Sequence, residues 1–209
     1  MCYYVRMNLV CLDLEGVLVP EIWIAFSQAV GIPELRRTTR DEPDYDKLMK
    51  FRIDLLNKNN LKLPDIQRVI SGMEPLAGAV EFTRGLRERT QLVILSDTFE
   101  QFAKPLMEKL SWPTLFCNSL EIGGDGTVTG YALRQQNGKR EAVKAFKSIN
   151  TRVFAAGDSF NDLAMIREAD CGCLFRAPEQ IRKDCAEIKC VDAFDDLTAE
   201  IDRFLISGR

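Results

Sequence analysis

Four short apolar runs, at residues 8–12, 92–95, 153–156 and 171–175, constrain the fold of this chain more than any other feature. Runs of this length without polar alternation look like strands buried on both faces, which occur in parallel sheets covered by helices. Helical pattern separates each run from the next. Ala79, Phe82, Thr83 and Leu86 hold an i, i+3, i+4, i+7 stripe, and Phe99, Phe102, Ala103, Leu106, Met107 and Leu110 a cleaner one. Pro105 lies within the second stripe, so that helix is expected to kink or begin there. Strands alternating with helices imply an α/β fold with a doubly wound, mainly parallel, Rossmann-like sheet. Ligands of such sheets bind beyond the carboxyl ends of the strands.

Residues 17–75 contain no convincing strand. They offer helical patterns near 21–30, 45–57 and 64–70, with a polar link at 38–44. Inserted between the first two strands, this stretch reads as a small helical cap over the strand ends. The expected division is a core of residues 1–16 and 77–209 and a cap of residues 17–76. A smaller excursion at 120–133 alternates around Gly123-Gly124-Asp125-Gly126, a glycine-rich hairpin signal.

Charge and composition remove several classes of function. A net charge of -3 with no strongly basic stretch argues against nucleic acid as a partner, because phosphate backbones demand clustered Lys and Arg. No stretch approaches the roughly 18 apolar residues of a membrane span, and no signal-peptide pattern opens the chain, so a cytoplasmic protein with no membrane partner is expected. Histidine is absent, which leaves acid-base chemistry to carboxylates, lysine, cysteine or tyrosine. The seven cysteines include no C-x-x-C pair and no Cys-x5-Arg loop.

The chemistry-bearing residues sit just past the strands. Asp13 ends the first apolar run and Glu15 follows at i+2, so both carboxylates can face one opening before the chain turns at Gly16. Ser96 follows the second run and is succeeded by Asp97 and Thr98. Lys139 opens a helix patterned by Ala142, Val143 and Phe146. Gly157-Asp158-Ser159-Phe160-Asn161-Asp162 closes the third run. Asp158 can point at a metal, Asp162 can hold a metal-bound water or Lys139, and Asn161 can orient Asp158 or the lysine. Carboxylates, a hydroxyl and one ammonium are the inventory of magnesium-dependent phosphoryl transfer to an aspartate nucleophile.

These four segments, in this order, resemble the haloacid dehalogenase superfamily, and along nearly the whole chain the phosphoserine phosphatases within it. The resemblance implies that Asp13 attacks phosphorus and becomes an aspartyl phosphate. Glu15 protonates the leaving alkoxide and later deprotonates water, and its main-chain carbonyl joins Asp13, Asp158 and Asp162 around Mg2+. Lys139, rather than the adjacent Arg140, is the matching lysine. Two departures stand out: the superfamily usually has Asp where Glu15 stands, and these phosphatases usually run Ser-Gly-Gly where this chain has Ser96-Asp97-Thr98.

Arg52 is the informative cap residue. The stripe in 45–57 runs Tyr45, Leu48, Met49, then position 52, then Leu55 and Leu56, so a guanidinium falls in the middle of a face that should be buried. A buried planar fork suits a carboxylate. Glu21, at the start of the first cap helix, either serves the helix dipole or takes an ammonium. The resemblance implies the latter: a zwitterionic amino acid held between Glu21 and Arg52, hence phosphoserine as substrate, with water or homoserine as acceptor. Phe51 and Met49 are candidates for an apolar wall or for core packing. A phospho-accepting signalling module and a sugar phosphatase on the same fold are the competing readings. The helical insert weighs against the first, and Arg52 with Glu21 against the second. The sequence leaves the oligomeric state open, a homodimer included.

Overall fold

The computed structural model describes residues 5–39, 41–42 and 44–207; Arg40 and Pro43, within the polar link read at 38–44, lie outside the described residues. Seven strands form one sheet: β1 (Met7–Leu12), β2 (Gln91–Phe99), β3 (Thr114–Ile122), β4 (Val128–Ala132), β5 (Thr151–Gly157), β6 (Cys171–Phe175) and β7 (Cys190–Val191). Their spatial order is β4-β3-β2-β1-β5-β6-β7, and every neighbouring pair except β3 with β4 is parallel. The helices are α1 (Ile22–Val30), α2 (Tyr45–Lys58), α3 (Leu63–Ser71), α4 (Ala79–Arg87), α5 (Glu100–Lys109), α6 (Gly138–Ser148), α7 (Leu163–Glu168), α8 (Glu179–Asp184) and α9 (Phe194–Ile206).

The chain winds outward from β1 through β2 and β3, then crosses back to β5 and winds the other way. The direction reverses between β1 and β5, where a crevice opens in sheets of this kind. Leu12 pairs with Ala156, and the Asp13 N–H extends the ladder to the Ala156 carbonyl at 3.0 Å. Asp13 and Asp158 therefore leave the sheet side by side.

Strand periodicity explains the two-sided core. Val10 and Leu12 of β1, with Phe154 and Ala156 of β5, enter one apolar cluster; Leu9, Cys11, Val153 and Ala155 enter the other. The first cluster continues without a break into Ile22, Trp23, Phe26, Met49, Ile53, Ile66 and Ile70 of α1, α2 and α3. Those helices lie between β1 and β2 in the chain, as the absence of strand pattern there implies.

Three features depart from the sequence reading. β2 does not stop at Leu95: it runs to Phe99 after a register shift against β3, so Phe99 is a strand residue and not the first of a helical stripe. β3 begins at Thr114, well before the expected hairpin, because its first part pairs with β2 and only its second part with β4. Finally, α5 starts at Glu100 and passes through Pro105. A proline within a helix leaves the carbonyl four residues earlier without its donor. Here that carbonyl belongs to Gln101, and Gln67 Nε2 of α3 donates to it at 3.0 Å.

The β3–β4 hairpin also holds the helical insert. Tyr131 Oη donates to Asp46 at 2.8 Å, Lys62 Nζ pairs with Asp125 at 2.8 Å, and Leu63 N–H reaches the Gly126 carbonyl at 2.9 Å. Among the described residues, no helix is long and apolar enough to cross a membrane.

Candidate functional site

The segment after β1 is shaped by a single glycine. Gly16 has φ +75°, a left-handed conformation open to glycine at little cost, and its N–H donates to the Val19 carbonyl at 2.8 Å. A Cβ built there would lie 2.6 Å from the Asp158 carboxylate. Gly16 thus lets the chain pass directly beneath Asp158 while Asp13 and Glu15 face the cleft. Asp13 is buried, and its Oδ1 accepts both the Leu14 N–H at 2.7 Å and Lys139 Nζ at 2.9 Å. Burial and then the Asp162 charge push the Asp13 carboxyl well above the usual range, against the downward pull of Lys139.

Lys139 sits in the first turn of α6 with its ammonium buried among carboxylates. It lies 2.6 Å from Asp162, 2.9 Å from Asp13 and 3.7 Å from Asp97. Burial opposes its charge, but Asp13 and Asp162 more than offset this and hold the ammonium protonated. Asp162 is fully buried. Its Oδ1 takes Lys139, while Oδ2 accepts the N–H groups of Asp158 and Ser159, each at 3.0 Å, and the Ser159 hydroxyl. The Asp162 side chain therefore folds the loop after β5 as well as placing the lysine. The Gly157 Cβ position lies 2.2 Å from the Asp162 carboxyl carbon, so only glycine permits this approach.

One oxygen each from Asp13, Asp158 and Asp162 lies within 4.8 Å of the others. Three buried carboxylates around one ammonium leave uncompensated negative charge, which is costly away from water. Oxygen donors so placed suit a small hard dication.

Ser96, Asp97 and Thr98 line the opposite wall. The Ser96 hydroxyl oxygen accepts the Thr98 N–H at 3.2 Å, which leaves its own hydrogen to be donated. Asn161 also meets a partner that its position in the sequence did not suggest. Its Nδ2 donates to Asp97 Oδ2 at 2.8 Å, because β2 extends far enough to bring Asp97 across from it.

The helical insert supplies the rest. Glu15 Oε2 accepts the Ile22 N–H at 2.9 Å. Burial, reinforced by the Glu21 charge, lifts the Glu15 carboxyl to about 7, despite opposing hydrogen bonds from Ile22 and the Thr98 side chain and the nearby Arg52 charge. Arg52 is buried as expected; among the described residues no carboxylate forms an ion pair with it, although the charges of Glu15 and Glu21 reach it. Its guanidinium stacks 4.5 Å over the Trp23 ring and donates through Nη2 to the Arg37 carbonyl at 2.6 Å. Its Nε has no partner, and it is the only such buried side-chain atom among the described residues. Glu21 stands at the N-cap of α1 without capping it through its side chain, and it lines the same cleft as Arg52.

The cleft measures about 360 Å³, within the range of small-molecule sites. All the catalytic, metal and polar substrate candidates read from the sequence except Asp162 line it; Asp162 lies beneath. Met49 and Phe51 do not: Met49 is fully buried in the core, and Phe51 packs under the Arg37 guanidinium. The apolar wall is instead Trp23, Ile24, Tyr45, Leu48 and Phe99. Sequence reading missed Trp23, and it took Tyr45 for a stripe residue only. Tyr45 Oη donates to the Asp97 carbonyl at 3.3 Å. A stripe that must also bury a guanidinium calls for an aromatic partner, and that was the available signal.

This sheet with this carboxylate and lysine centre defines a haloacid dehalogenase-like hydrolase. The model of that family matches residues 7–170, and the chain belongs to it. More narrowly, it is a member of the phosphoserine phosphatase family. It is 55% identical to phosphoserine phosphatase ThrH of Pseudomonas aeruginosa over 194 residues, 93% of this chain and 95% of that protein. Identity to a phosphoserine phosphatase of Pseudomonas syringae pv. tomato is 54%, covering 93% of this chain and 82% of that one. A solved phospho-aspartyl intermediate analogue of phosphoserine phosphatase superposes with a TM-score of 0.74 at 20% identity, over 90% of this chain and 94% of the other, so the two share a fold.

Proposed function

We propose that this enzyme hydrolyses L-phosphoserine in two displacements, through an aspartyl phosphate on Asp13, with homoserine as a second phosphoryl acceptor beside water. With Oδ1 of Asp13 committed to Leu14 and Lys139, the remaining oxygen is the nucleophile. It forms the bond to phosphorus as the serine oxygen leaves. A Glu15 carboxyl lifted to about 7 is partly protonated near neutrality and gives its proton to that oxygen. In the second displacement the Glu15 carboxylate takes a proton from water, or from the homoserine hydroxyl, as that oxygen attacks phosphorus and Asp13 leaves.

Lys139, the Ser96 hydroxyl and the Asn161 amide face the charge on the phosphoryl oxygens, with Asp97 and Thr98 beside them. Asp13, Asp158 and the Glu15 carbonyl would hold Mg2+, with Asp162 reaching it through water. Bound there, the cation would neutralise phosphoryl charge. The helices of residues 17–76 act as the cap, with Arg52 taking the substrate carboxylate and Glu21 its ammonium. A cytoplasmic setting belongs to the same reading.

The single observation that carries the substrate is Arg52 itself, a buried guanidinium that lines the cleft with no ion-pair partner among the described residues. A buried charge without its counter-charge costs free energy, and a ligand carboxylate recovers it. The test is incubation with phosphoserine and Mg2+, with and without homoserine, following inorganic phosphate and phosphohomoserine separately beside a panel of sugar phosphates. Preference for phosphoserine, with phosphohomoserine formed when homoserine is present, is the expected result. A sugar phosphate turned over faster than phosphoserine overturns the substrate, and phosphate release alone overturns the transfer.

A further inference from the structure

Asp97 is tied to both walls at the mouth of the cleft, and phosphoryl transfer as described leaves it without a task. Its backbone carbonyl is held from two sides, by Asn118 Nδ2 at 3.1 Å and by Tyr45 Oη at 3.3 Å. Asn118 is itself fixed, its Oδ1 accepting the Arg134 N–H at 3.0 Å. The main chain at position 97 is thus pinned by β3 and by α2 whatever its side chain does. That side chain, half exposed, turns toward the loop after β5, where Oδ2 accepts Asn161 Nδ2 at 2.8 Å and lies 3.7 Å from Lys139 Nζ.

The consequence falls on Asn161. Its Nδ2 is spent once on Asp97, and a flipped amide would set its oxygen against that carboxylate, so the orientation is fixed. An amide nitrogen carries two hydrogens, and the second is left for the cleft that Asn161 lines. We propose that Asp97 is a positioning residue: through its hydrogen bond it aims the free N–H of Asn161 at the transferring phosphoryl group, beside Lys139.

Position 97 is well suited to this. It follows Ser96 directly, so one stretch of β2 presents a hydroxyl to the phosphoryl group and an acceptor to the amide across the cleft. A carboxylate here also repels an incoming phosphate ester, so a side chain kept only for solvation would be a poor choice at this spot. An asparagine in its place keeps an acceptor oxygen and removes the charge; an alanine removes both.

This inference rests on the reading of Asp13 as nucleophile, but not on the identity of the ester. It is therefore tested with a small aryl phosphate alongside phosphoserine. Asp97→Ala should lower kcat about 10- to 100-fold for both esters, the loss expected when a contact to the reacting group drifts by a fraction of an ångström to an ångström. KM should stay within about threefold and the melting temperature close to that of the unmodified protein, since the backbone anchors survive. Asp97→Asn should restore most of kcat. Asn161→Ala should match Asp97→Ala, and the double variant should lose little more than either alone. The proposal is overturned if Asp97→Ala keeps kcat within about threefold, if its loss lies in KM, if Asp97→Asn is as impaired as Asp97→Ala, or if the two losses multiply. Failure of the unmodified protein to turn over either ester instead overturns the transfer reading beneath it, so the two failures are separable.

Discussion

Replacing Arg52 by alanine separates a substrate contact from a structural one, and the structure sets the size of each. Burial brings the Arg52 pKa down to about 10, which disfavours the charged form in the folded protein by roughly 3 kcal/mol. The folded value lies below the unfolded one, so this penalty is present in full at every pH under about 10 and fades only above it. Against it stand the hydrogen bond to Arg37, worth about 1.5 to 3 kcal/mol for a charged donor, and the stack on Trp23, worth about 0.5 to 2. The opposing effects nearly cancel. Arg52→Ala should change stability by no more than about 1 to 2 kcal/mol, a shift of about 2 to 8 °C in a chain of this size. The substrate effect does not cancel: two lost hydrogen bonds to a carboxylate cost about 3 to 4 kcal/mol, or a fall in kcat/KM for phosphoserine of about 100- to 1,000-fold. An aryl phosphate with no carboxylate should keep kcat/KM within about threefold. Steady-state rates for the two esters, with a thermal melt on the same samples, decide the question. Equal losses for both esters, or a melting temperature lower by much more than about 10 °C, would show that Arg52 holds the helices together and does not recognise a carboxylate.

The remaining expectations concern the acidic centre. Asp13→Asn should leave the melt near that of the unmodified protein and reduce turnover below about a thousandth, as loss of a nucleophile does; a higher residual rate refutes covalent transfer. Glu15→Gln should still accept a phosphoryl group from an aryl phosphate, whose leaving group needs no proton, yet release it slowly, so acid-quenched protein should carry phosphate; equal impairment with both esters makes Glu15 structural. Gly16→Ala places a methyl 2.6 Å from the Asp158 carboxylate in a left-handed conformation, costing about 1 to 2 kcal/mol of stability and, through the displaced carboxylate, about 100-fold in kcat. Retained kcat with a lowered melting temperature would separate Asp158 from the chemistry. Removing divalent cations with a chelator should abolish activity and added Mg2+ should restore it, whereas a chelator-resistant rate removes the metal from the mechanism.

Much of this protein is decided locally and so can be read from the chain alone. Strands buried on both faces announce themselves as short apolar runs, and β1, β5 and β6 stand where those runs lie. Groups that must leave a sheet at its carboxyl edge follow such runs directly, which is why Asp13, Ser96 and Asp158 could be picked out one by one. The buried place of Arg52 follows from helical periodicity in α2 in the same way.

What tertiary structure alone decided depends on partners far away in sequence. β2 reaches Phe99 because β3 is there to pair with it, and that extension carries Asp97 to Asn161 and away from any pairing its neighbours could foretell. Pro105 is accommodated within α5 because Gln67, 38 positions earlier, takes the carbonyl it frees. Arg52 rests on Trp23, the Arg37 carbonyl and Met49 Sδ, with its Nε left unpartnered, a balance of contacts that no periodic pattern encodes. The rise of the Glu15 carboxyl to about 7 likewise comes from burial beneath helices that β1 alone does not foreshadow. Sequence patterns report which face of an element is dry; hydrogen bonds and pKa values depend on what arrives at that face once the chain has folded.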